Sequence, residues 1–88
     1  MRTRKKDDAK FMELCGYIGE EIREQREGFF YTIKDVSQDL GVNASQLSDM
    51  ERGKKPFSLH NFLSLCDGLG LKPHEVLRNA RIRAGYDD

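Results

Sequence analysis

Tryptophan is absent from this chain, and proline, cysteine and histidine occur twice each. Cys15 and Cys66 stand far apart, no Cys-x-x-Cys occurs, and only His60 and His74 could join them, so the spacing of a zinc site is missing. Both cysteines fall at apolar positions of helical patterns and read as small core residues in a reducing compartment. No apolar run approaches the roughly 18 residues of a membrane span. The basic start, Met1 to Lys6, has no apolar stretch behind it, which predicts no secretory leader. A glycine-rich phosphate loop is missing, as is any Ser/His/Asp set in supporting context, so neither an enzyme nor a cofactor is expected. Net charge is lacking too, because 15 basic residues balance 15 acidic ones.

What remains is helical periodicity. Eighty-eight residues, 34% charged and 38% hydrophobic, suit one small all-α domain with a modest core. Asp7 and Asp8 suit a helix start, and Phe11, Cys15, Ile18 and Ile22 then recur at steps of four, three and four, predicting a first helix to about Glu27. Gly16 and Gly19 weaken that helix and mark a place for a kink. At Gly28 to Tyr31 the chain connects onward, and at least two of the aromatics Phe29, Phe30 and Tyr31 are expected to be buried. Further on, Ser58 caps a helix whose face is Leu59, Phe62, Cys66 and Leu69, widened by Leu63 and Leu65, and Gly70 ends it. Pro73 opens a last helix, with Glu75 early and Arg78, Arg81 and Arg83 late, as the helix dipole favours. Val76 and Leu77 are expected to finish the core, leaving Ala80, Ile82 and Ala84 for a partner. The expected organisation is a flexible basic arm at 1–6, a compact five-helix domain at 7–84 and a tail at 85–88.

The stretch from Thr32 to Gly53 carries the functional reading. Thr32, with Asp35 three residues on, is a helix-start signature. Tyr31 precedes it in position to staple onto Val36, and Val36 and Leu40 share one face. Gly41 supplies the turn, Asn43 caps a second short helix, and Gly53 stops it. Two short helices joined by a turn of about three residues make a helix-turn-helix. On the second helix Leu47 and Met50 point to one side, while Ala44, Ser45, Ser48, Asp49 and Arg52 fall within an arc of about 140° on the other. That outer face is slim and polar, and the B-DNA major groove, roughly 12 Å wide, admits a helix of this kind.

The ordered set of Ser37 after Val36, Gly41, Val42, Leu47, Met50 and Glu51-Arg52-Gly53-Lys54 resembles the helix-turn-helix of the lambda repressor and Cro-like (XRE) family of DNA-binding regulators. The resemblance runs from about Ile18 to Leu77. It implies a five-helix lambda repressor-like fold and sequence-specific binding of double-stranded DNA at an inverted-repeat operator. A homodimer would place helix 44–52 of each protomer in successive major grooves, roughly 34 Å apart. Base contacts are then expected from Ala44, Ser45, Ser48 and Asp49, with Ala44 against a thymine methyl and Asp49 accepting from a cytosine amine. Backbone contacts are expected from Thr32, Lys34, Asn43, Gln46, Arg52, Lys54 and Lys55, and arm contacts from Arg2, Arg4, Lys5 and Lys6. A structural pair between Arg26 and Glu51 also follows from the resemblance.

Two departures stand out. The family commonly has a glycine where Phe30 stands, and a phosphate-binding glutamine where Ile33 stands. Free N–H groups of the helix start, Thr32 and Lys34 are left to hold that phosphate. Charge is also unevenly spread: residues 1–10 carry five basic and two acidic groups, residues 11–31 two basic and five acidic. An acidic first helix facing away from DNA therefore masks the basic groups in the total. Related roles, an antitoxin or a controller of a restriction-modification operon, use the same machinery. The competing class is a protein-interaction module on the same helices. A regulator of this kind is expected in the cytoplasm, on the nucleoid.

Overall fold

The computed structural model describes the backbone of residues 5–86 and the side chains of residues 9–86. The described residues form five helices and no strand: α1 (Lys5–Gly28), α2 (Ile33–Leu40), α3 (Ala44–Glu51), α4 (Leu59–Leu69) and α5 (Pro73–Arg83). Each of the middle helices starts on a side-chain cap. Thr32 Oγ1 accepts from the Asp35 N–H at 3.0 Å while the Asp35 carboxylate accepts from the Thr32 N–H at 2.9 Å, a reciprocal capping box. Asn43 Oδ1 accepts from Ser45 N–H, and Ser58 Oγ from Asn61 N–H.

The helix ends share one backbone device. After each helix a residue takes left-handed φ, and the next N–H returns to a carbonyl five residues back: Tyr31 to Arg26, Val42 to Ser37, Lys54 to Asp49, Leu71 to Cys66 and Tyr86 to Arg81. This closure satisfies carbonyls that the helix end would leave without partners. Four of the five left-handed residues are glycines. At the end of α1 it is Phe30, with φ 63°.

The core gathers Ile18 and Ile22 of α1, Val36 of α2, Leu47 and Met50 of α3, Phe62, Leu65, Cys66 and Leu69 of α4, and Val76 and Ala80 of α5. At about 1.5 Å per residue the 24 residues of α1, the longest helix among the described residues, reach about 36 Å. Helix α1 runs unbroken through Gly16 and Gly19. Those glycines instead permit contact. A Cβ at Gly19 would lie 2.5 Å from the Glu51 carbonyl oxygen, and one at Gly53 would lie 2.8 Å from Gly16 Cα. Helix α3 and its terminal turn thus rest directly on the α1 backbone.

Several apolar positions lie where periodicity did not put them. Phe11 shares the stripe of Ile18 and Ile22 but is exposed, because it lies a turn beyond half-buried Cys15, where the covering helices stop. Helix α4 turns Phe62, Leu65, Cys66 and Leu69 inward, which leaves Leu59 and Leu63 at the flank, both exposed. In α5 the inward pair is Val76 and Ala80; Leu77 is exposed, while Ala80, expected to face a partner, is fully buried. The small alanine allows α5 to lie close against α1, its main packing neighbour. Arg83 then ties the two helices by reaching Glu20, Glu21 and Glu24, with Asn79 Nδ2 donating to Glu21 at 3.2 Å. Tyr86 lies under Lys10 and Arg81, their cationic groups 5.0 and 4.5 Å from its ring centre. The expectation that two aromatics of the α1–α2 turn are buried fails: Phe29, Phe30 and Tyr31 are all exposed.

Candidate nucleic-acid interface

Helix α3 is held from below at three points. Leu47 and Met50 are buried, at 0% and 3% exposure, and fix its inner face in the core. The close approach at Gly19 sets its distance from α1. Third, the Arg26 guanidinium meets the Glu51 carboxylate in a two-pronged pair, Nε to Oε2 and Nη2 to Oε1, both 2.9 Å. Both side chains are almost fully buried. Hydrogen bonding to Glu51 holds the already high Arg26 pKa higher still, against the opposing effect of burial. The remaining prong, Nη1, donates to the Tyr31 carbonyl at 2.8 Å. One arginine therefore links the end of α3 to the entry of α2.

On the opposite face Ala44, Ser45, Gln46 and Arg52 are exposed, and Ser48 and Asp49 are half-buried. No large apolar residue interrupts this surface, so α3 presents a thin polar edge above a rigid base. Lys54 and Lys55 are exposed in the turn that follows. Gly53, at φ 77°, directs that turn, and the Lys54 N–H donates to Asp49 O at 2.8 Å. Ser48 and Arg52 also border a cleft with Arg23, Arg26, Glu27, Ile33 and Glu51, where Arg23 pairs with Glu27 at 3.3 Å.

At the start of α2, Lys34 is exposed and Ile33 is partly buried against the core. Ile33 thus serves packing at the position where a glutamine would bind phosphate. The Thr32 hydroxyl and N–H are both engaged in the capping box, as is the oxygen of Asn43 in its own cap. Neither group is idle at this surface, as the capping roles expected of both residues imply. Asp35 carries a carboxylate at the same helix start, held below its ordinary pKa by the Thr32 N–H and then the Thr32 hydroxyl. The backbone N–H groups of Ile33 and Lys34 remain as anion donors there. Arg2 and Arg4 lie outside the described residues. Lys5 and Lys6 belong to the first turn of α1, and their side chains are outside the description as well.

A family model described as a helix-turn-helix domain matches residues 18–80. The chain belongs to that family. The helix-turn-helix domain is 33% identical over 66 residues to the HTH-type transcriptional regulator DdrOP3 of Deinococcus deserti, covering 75% of this chain and 48% of that protein. This chain thus spans about half the length of the curated relative it matches. Among solved structures, it superposes on the clp gene regulator ClgR of Corynebacterium glutamicum with a TM-score of 0.78 at 28% identity, covering 82% of this chain and 77% of the other. It also superposes on the restriction-modification controller protein C.AhdI of Aeromonas hydrophila, with a TM-score of 0.67 at 27% identity, covering 70% and 94%. The five-helix domain is thus a helix-turn-helix domain of the lambda repressor-like type. Among the described residues no helix is long and apolar enough to cross a membrane.

Proposed function

We propose that this chain regulates transcription by binding a specific double-stranded DNA sequence, with α3 inserted in the major groove. The observation that carries the reading is the combination on α3 of a thin polar outer edge and a base locked by Leu47, Met50 and the Arg26–Glu51 pair. A helix that reads base edges must be held to a fraction of an ångström, and this one is clamped from three directions. Ala44, Ser45, Ser48 and Asp49 face the bases. Gln46, Arg52, Lys54 and Lys55 grip phosphates on either side, and Lys34 with the free N–H groups of α2 adds a further contact.

The functional unit in this reading is a homodimer on an inverted repeat. Exposed apolar residues of α4 and α5, namely Leu59, Leu63, Leu77 and Ile82, offer the surface for it. Bound across a promoter, such a dimer represses by excluding polymerase.

Salt titration of duplex binding tests the phosphate part. Affinity should fall steeply with salt, each phosphate contact adding about −0.9 to the logarithmic slope. Lys54→Ala should remove about one contact from that slope without changing sequence preference. Affinity indifferent to salt would mean that this surface meets protein rather than DNA.

A further inference from the structure

Phe30 is the only non-glycine among the described residues with positive φ, at 63°, and it is 92% exposed. A phenylalanine gains nothing for the fold there. Its ring is in water, and glycine would close the same turn without crowding between Cβ and carbonyl. The neighbouring rings point to use of the site. Phe29 and Tyr31 are exposed as well, their ring centres 6.0 Å apart. Together the three aromatics form one wall of a shallow groove completed by Asp35, Gln38 and Asp39 on the outer side of α2.

The charges in this groove are negative. Asp35 stays ionised, its carboxylate held by the Thr32 N–H and hydroxyl, and Asp39 is exposed. Phosphate is repelled from such a surface, so duplex DNA does not account for the exposed rings. Cations are favoured twice, by the carboxylates and by the ring faces.

We propose that this groove, between the α1–α2 turn and the outer side of α2, docks a segment of another protein that presents an arginine or lysine beside an apolar side chain. The cation lies between the ring faces and Asp39, and the apolar group lies on Phe30. The docking does not depend on the DNA-binding reading.

The experiment is a titration of the isotope-labelled full chain with the blocked peptide Leu-Arg-Leu-Arg-Leu, and separately with Leu-Glu-Leu-Glu-Leu, followed by NMR. The arginine peptide should shift signals of residues 29–39 and the glutamate peptide should not. Phe30→Gly, which suits the left-handed turn and keeps the fold, should weaken the arginine peptide about tenfold, and Asp39→Asn severalfold. Duplex affinity of Phe30→Gly should equal that of the parent chain. The proposal is overturned if the arginine peptide perturbs Glu20 and Glu24 as strongly as the turn, or if Phe30→Gly binds it equally well. It is equally overturned if the groove signals respond to protein concentration, which would seat a second copy there, or if those of Gln38 and Asp39 respond to duplex DNA of unrelated sequence.

Discussion

The turns at the two ends of α2 close with the same backbone hydrogen bond and differ in the residue that takes the left-handed position. After α2 it is Gly41, at φ 66°; before α2 it is Phe30, at φ 63°. At Gly41 local chemistry and fold agree, and the α2–α3 turn forms where its own residues favour it. At Phe30 local chemistry is overruled. The overruling is done by Arg26, whose Nη1 holds the Tyr31 carbonyl while its other nitrogens hold Glu51. A turn can therefore be set by a residue four positions earlier, provided that residue is itself anchored in the tertiary structure. Gly28, two residues ahead of Phe30, is the nearer glycine and takes no part in the closure.

The largest way to break this comparison is to remove the anchor. Arg26→Ala leaves Glu51 buried without its partner and frees the Tyr31 carbonyl. The expected loss is about 3 kcal/mol in urea unfolding, the low end for breaking a buried pair, because the pair borders a cleft open to water. Gly41→Phe has no such anchor to hold a phenylalanine left-handed, and a loss of about 1–2 kcal/mol is expected in the same unfolding measurement. Gly19→Ala sharpens the point from another side: its methyl would meet the Glu51 carbonyl oxygen at 2.5 Å, forcing α3 away from α1. A loss of about 1–3 kcal/mol is expected, together with weaker specific binding and little change in non-specific binding.

Phe30→Gly should move stability the other way. Relief of the left-handed strain, about 1–2 kcal/mol, exceeds the added freedom of a glycine in the unfolded chain, about 0.5–1 kcal/mol, so thermal unfolding should shift slightly upward. The smallest effect belongs to Asp35. Its folded-state pKa lies below the ordinary 3.8, so its contribution is complete above that value and is lost as pH falls through the lower folded one. Neutral-to-mildly-acid unfolding curves of Asp35→Asn should therefore show no pH dependence from this group, and the parent's extra stability should disappear only in strong acid.

Legibility in the sequence followed the same divide. The all-α class, the helix-turn-helix and the caps at Thr32, Asn43 and Ser58 were readable because each rests on residues within about four positions of one another. The inward faces of α4 and α5 were misjudged at Leu59, Leu63, Leu77 and Ala80. Periodicity gives the stripe of a helix but not which neighbour covers it, and here close packing of α5 on α1 selected the alanine. Phe11 was misread for a related reason, since a stripe continues past the point where the covering helices stop. The aromatic turn failed because hydrophobic residues are ordinarily inside, and nothing local to Phe29, Phe30 and Tyr31 announces their exposure. For the interface itself, residue types and spacing indicated the outer face of α3. They did not reveal that Ser48 and Asp49 are half-buried, which depends on the neighbouring elements.

Selection of bound duplexes from a randomised DNA pool at moderate salt, with the parent chain and with Ser45→Ala and Asp49→Ala, tests the central claim most directly. The expected result is an enriched inverted repeat with half-sites about one helical turn apart, and altered preference at positions that depend on residues 45 and 49. Enrichment of no sequence, or of a sequence indifferent to both substitutions, would contradict the assignment of α3 as the element that reads DNA.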